Sequence, residues 1–95
     1  MILTLQSARA LRVLLDGPAY GLQLMKAMTV PTGTLYPLMA RLEREGLVSS
    51  ELEQIDEHAE GRRARRWYRL TGTGEQYARL VLAELAESLR PPGIQ

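Results

Sequence analysis

The sequence contains no cysteine. That excludes a disulfide framework, a thiolate metal site and a thiol nucleophile. It has one histidine, His58, with no second ligand near it, so no metal site is expected. No stretch approaches the roughly 18 consecutive apolar residues of a membrane span. The opening MILTLQSARALRVLL lacks the basic start of a secretory signal, and Arg9 and Arg12 interrupt its apolar run. A cytoplasmic location is the expectation. Internal repeats and low-complexity tracts are also missing. Catalysis lacks its parts too: no serine sits in a recognisable elbow. The carboxylates lie in a turn and a strand with no apolar pocket to tune them. Gly72 and Gly74 have no following lysine and no phosphate-loop context. Neither an enzyme nor a cofactor is expected.

What is present fits one ordered domain. The chain has 95 residues, 45% hydrophobic and 24% charged, enough for a single modest core. The net charge of +1 conceals a local contrast. Residues 51–60 carry Glu51, Glu53, Asp56, Glu57 and Glu60 and no base. Residues 61–70 carry Arg62, Arg63, Arg65, Arg66 and Arg69 and no acid. An acidic block therefore precedes a basic one.

Hydrophobic spacing predicts a first helix from Thr4 to Leu15, ended by Asp16-Gly17-Pro18. A short second helix follows from Tyr20 to Met28, ended by Thr29-Val30-Pro31. A third spans Thr32 to Glu45, with Leu35, Leu38, Met39 and Leu42 as its buried stripe. Thr32 or Thr34 is its N-cap; the choice decides whether Pro37 lies in the first turn or costs a hydrogen bond. Leu47 to Ile55 reads as a strand with Val48 and Leu52 inward, Asp56 to Gly61 as a turn, and Arg63 to Leu70 as the return strand. Trp67 and Tyr68 point to opposite faces, and both are expected in the core. Thr71 caps a last helix that runs to Leu89, before Pro91-Pro92-Gly93. The whole is mainly α with a small β-hairpin, in the order α-α-α-β-β-α of a winged helix-turn-helix. Residues 1–71 form that domain, 72–90 a C-terminal helix, and 91–95 a disordered tail.

Several runs carry a resemblance: Tyr20-Gly21-Leu22, the stretch Pro31-Thr32-Gly33-Thr34-Leu35-Tyr36-Pro37-Leu38 continuing through Arg41-Leu42-Glu43 to Val48, Gly61-Arg62, and Trp67-Tyr68-Arg69-Leu70-Thr71. Over roughly residues 5–85 the chain resembles the PadR family of transcriptional regulators. The resemblance implies a bacterial or phage-type repressor that dimerises on a palindromic operator. Two features depart from the pattern. Only Thr29 to Pro31 link the second and third helices, and one C-terminal helix stands where larger members have an effector domain. Small members bind drug-like molecules between subunits, but no distinctive aromatic clamp is visible here, so an effector is not indicated.

The expected partners are therefore double-stranded DNA and a second copy of the chain. An α-helix fits the major groove, and Thr32, Thr34, Tyr36, Pro37, Arg41 and Arg44 lie off the third helix's buried stripe. Arg62, Arg63 and Arg65 on the hairpin, and the Tyr20 hydroxyl, complete the candidate DNA contacts. The alternative for the arginines is a surface strand paired to the acidic one. The last helix has more apolar residues than one small core needs. Leu3, Leu5, Tyr77, Val81, Leu82, Leu85 and Leu89 are the candidate dimer interface. Two rival functions remain at this point: a protein-interaction module, and an architectural DNA-binding factor.

Overall fold

The computed structural model describes residues 4–93. Leu3 of the expected interface, and the last two residues of the expected tail, lie outside them. The elements are α1 (Leu5–Leu15), β1 (Ala19–Tyr20), α2 (Gly21–Met28), α3 (Thr32–Arg44), β2 (Val48–Leu52), α4 (Glu57–Glu60), β3 (Arg66–Leu70) and α5 (Gly72–Ser88). This is the expected winged helix, mainly helical with a small antiparallel sheet.

Helix spacing placed the buried stripe of α3 correctly, whereas Leu5 of α1 and Leu22 of α2, on their helices' apolar sides by spacing, are exposed. Leu14 of α1, Leu24 and Met28 of α2, and Leu35, Leu38, Met39 and Leu42 of α3 form one buried cluster with Val48 and Tyr68 of the sheet. The Thr4 hydroxyl caps α1 by accepting from the Ser7 N–H at 3.1 Å.

Five local expectations change. The N-cap of α3 is Pro31, neither threonine. Its carbonyl accepts from the N–H groups of Thr34 and Leu35, both at 3.0 Å. Pro37 therefore lies inside the helix, and the Gly33 carbonyl loses its helical donor. The sheet has a third strand, in the order β1-β3-β2. β1 pairs Ala19 with Tyr68 and Tyr20 with Trp67; two residues are too few to show alternation. β2 and β3 are each five residues, shorter than predicted, because the chain leaves the ladder to build the tip. For the same reason Leu52, expected inward, is 49% exposed: the hairpin outruns the helices that would cover it. Trp67 is only half-buried, on the outer sheet face, while Tyr68 is buried.

The tip contains one helical turn. Asp56 Oδ1 accepts from the N–H groups of His58 and Ala59 at 3.0 and 3.1 Å, and Gly61 ends the turn at φ 67°. Glu53 ties the tip down. Its carboxylate accepts from Arg62 Nη1 and from the Arg65 N–H, each at 2.7 Å. Its own N–H donates to the Arg65 carbonyl at 2.9 Å. The Arg62 guanidinium first, and the Arg65 N–H second, hold this carboxyl at about 2 instead of 4.5.

A second junction fixes the body. Just past the end of α3, Gly46 turns the chain at φ 76°. The Thr71 hydroxyl donates to the Gly46 carbonyl at 2.6 Å and accepts from the Gly74 N–H at 2.9 Å. The Thr71 N–H donates to the Leu47 carbonyl at 3.1 Å. Gly74 lies so close to that carbonyl that a Cβ would collide with backbone atoms of Leu47.

Two outcomes are expected. Gly74→Ala should lower stability by about 2–3 kcal/mol, read as a drop in the denaturant midpoint at constant slope; no drop would mean the junction yields easily. The Glu53 carboxyl binds its proton more weakly folded than unfolded. Its contribution is complete above about pH 4.5 and is lost as pH falls toward about 2. Stability across that window should fall less steeply for Glu53→Gln than for the native chain, and parallel curves would remove the lock from the stability balance.

Candidate nucleic-acid interface

The buried stripe of α3 leaves an opposite ridge in solvent. Gly33, Pro37, Ala40 and Arg44 are exposed along its centre. Thr32, Tyr36 and Glu43 lie on one flank, Thr34 and Arg41 on the other. The ridge is small and uncharged except for Arg44 at its C-terminal end. No acid lies in the first turn of α3.

Thr32 is exposed, its hydroxyl donating to Met25 Sδ at 3.3 Å. Thr34 and Pro37 are open to solvent. Tyr36 is 40% exposed, and its hydroxyl lies against Gly21 at the start of α2. A Cβ on Gly21 would collide with that hydroxyl. The glycine thus makes room for Tyr36 to reach across the helix-turn-helix. Arg41 turns toward α1, where Nη2 donates to the Ser7 hydroxyl at 2.9 Å. Arg44 is exposed and in no ion pair among the described residues.

Strand alternation divides the hairpin's arginines. Val48, Ser50 and Leu52 face the α3 side together with their partners Leu70, Tyr68 and Arg66. The outer face carries Glu51, Glu53, Trp67 and Arg69, with Tyr20 paired beside Trp67. On it, Arg65 lies 4.5 Å over the Tyr20 ring, and that ring meets Trp67 edge-on at 5.0 Å. Three expected contacts, Tyr20, Arg62 and Arg65, thus have intramolecular partners. The bond from Glu53 also raises the pKa of Arg62. Arg63 is exposed and makes no ion pair among the described residues.

Arg66 is a further wing cation, outside the contacts chosen from the sequence. It is exposed, shares the α3 side of the sheet, and donates from Nη1 to the Ser50 hydroxyl at 3.1 Å. Ser50 in turn donates to Glu43 of α3 at 3.0 Å. The signal was available: once Tyr68 is a core residue, Arg66 must face the same way. Burial pushes the Tyr68 phenol above its ordinary range, consistent with that inward position.

The other candidate surface is α5. Gly74 and Ala78 are buried against the body. Beyond them the helix runs outward. Tyr77, Val81, Leu82 and Leu85 are half-buried, while Leu89 is 73% and Leu5 of α1 62% exposed. The radius of gyration of 15.4 Å exceeds the roughly 12 Å of a compact chain of this length. Among the described residues no helix is long and apolar enough to cross a membrane, and no three potential ligands cluster for a metal.

Comparison with known proteins gives this geometry a family. No curated sequence matches the chain. A PadR-like transcription factor from Bacteroides fragilis superposes with a TM-score of 0.74 at 29% identity, over 85% of this chain and 80% of that one. A transcriptional regulator from Clostridium thermocellum does so at 0.69 and 26% identity, over 85% and 82%. A Streptococcus mutans protein shares the fold at 0.75 and 23% identity, over 88% and 78%. The model of the transcriptional regulator PadR-like family matches residues 10–80: the chain belongs to that family and is a transcriptional regulator, not an enzyme.

Proposed function

We propose that this protein binds double-stranded DNA as a homodimer and represses transcription by occupying a palindromic operator. The observation that carries the reading is the α3 ridge, a nearly uncharged surface with Arg44 at one end and with Arg66 on the same side of the sheet as α3. Such a helix enters the major groove while cations on its borders meet the phosphates. Arg63 and Arg66 are the wing contacts of this reading. Arg62, Arg65 and Tyr20 hold the wing that presents them. Thr32, Thr34, Tyr36 and Pro37 meet the groove, with Tyr36 as the specificity residue.

Dimerisation rests on the apolar face of α5 and on Leu5, which a second copy would cover. Residues 72–90 act as the dimer element, and two α3 helices then lie about 34–36 Å apart in successive major grooves. Occupancy alone blocks a promoter, so repression needs no activation surface and no small-molecule effector. The site of action is the nucleoid, in the cytoplasm.

Selection of bound duplexes from random DNA tests the whole reading. A preferred site with two-fold symmetry is expected; no binding at low salt would favour a protein-interaction module, and broad coverage without a preferred site an architectural role. On the selected duplex, Arg63→Ala with Arg66→Ala should weaken binding and reduce the salt slope by about two phosphate contacts. An unchanged slope would remove the wing from the interface. Gly21→Ala should keep the fold, because the exposed Tyr36 ring swings aside. It should nevertheless lower discrimination between operator and random DNA as Tyr36→Ala does, by roughly tenfold. Equal losses on both duplexes would make Tyr36 a positioning contact.

A further inference from the structure

The two flanks of α3 meet different neighbours. Tyr36 and Glu43 face α2 and the wing, through Gly21 and Ser50. Thr34 and Arg41 face the start of α1. A notch on that second side is lined by Thr4, Gln6, Thr34, Pro37, Arg41 and Arg44, with Leu38 behind them. Two arginines line it and no acid does. Neither arginine makes an ion pair among the described residues.

Arg41 is half-buried, with the neutral Ser7 hydroxyl as its hydrogen-bond partner. Its Nε and the Gln6 Oε1 are shielded from solvent and have no hydrogen-bond partner among the described residues. The first turn of α1 holds no acid, so the positive end of the helix is uncompensated. A partly desolvated cation is costly without a counter-charge. This one lies beside the recognition ridge, next to a second arginine and a free threonine hydroxyl.

We propose that the notch is a phosphate site: Arg41, Arg44 and Thr34, together with the first turn of α1, receive one phosphodiester of the DNA backbone. The proposal rests on the DNA-binding reading and adds a second anchor to it. A helix in the major groove has a sugar-phosphate backbone on each side. The wing takes one through Arg63 and Arg66, and the notch takes the other. Arg41 then sets the register of α3 and does not read bases. A half-turn of the Gln6 amide offers its NH2 to the same oxyanion.

Gln6→Glu separates this role from a structural one. A carboxylate at that point favours the N-terminus of α1 and supplies the charge Arg41 lacks, but it fills the notch with negative charge. The melting temperature of the free protein should stay level or rise. Affinity for the selected duplex should fall roughly tenfold, and the salt slope by about one phosphate contact. Methylphosphonate placed at single positions of that duplex should weaken the native protein at one phosphate across the groove from the wing, and that position should become silent in the variant. Unchanged affinity and slope in Gln6→Glu would overturn the proposal. So would a melting shift with inorganic phosphate, over chloride at matched ionic strength, that the variant loses while its DNA affinity holds; the notch would then take a small anion. A native protein that binds no duplex at low salt would sink the DNA-binding reading and this one together.

Discussion

The approach of Gly74 to the Leu47 carbonyl governs how the functional parts sit. α3 ends at Arg44, the wing begins at Val48, and α5 begins at Gly72. The three ends meet within a few residues of one another, bound through the Thr71 hydroxyl and N–H. No side chain fits between the α5 backbone and that carbonyl, so the helices close to backbone contact. The end of α3, the first strand of the wing and the start of α5 are therefore held together at backbone contact. A change in the angle of α5 would be carried to α3 with little slack to absorb it.

Within that frame the acids of the chain act mostly on its own arginines. Glu53 takes Arg62 and orders the turn around it. Glu51 reaches Arg69 at 3.7 Å, a weak exposed pair. Glu43 is joined to Arg66 only through the Ser50 hydroxyl, which leaves the guanidinium its remaining donors. The near-zero net charge and the uneven charge of the surface are thus compatible.

The sequence was informative where a pattern repeats over several turns. The buried stripe of α3 and the cap at Thr71 were legible, because helical spacing and capping chemistry are local. The two-residue β1 was not, since its pairing partner lies nearly fifty residues away in sequence. The N-cap at Pro31 was hidden because it uses a carbonyl and no side chain. Among the candidate contacts, residues on α3 could be placed by angle alone. The wing arginines could not, since their roles depend on register and on which carboxylate each one meets. Arg62 is held by Glu53, whereas Arg66 meets only the neutral Ser50 hydroxyl.

The outward ridge of α3 bears on how such a regulator changes over time. Gly33, Pro37, Ala40 and Arg44 support no core contact, and none makes a side-chain hydrogen bond among the described residues. Substitution along that line costs the fold little, whereas the stripe behind it tolerates almost nothing. Under the proposed function, stability and sequence preference lie in different residues of one helix. On that proposal, a change on the ridge alters the target site while the chain still folds.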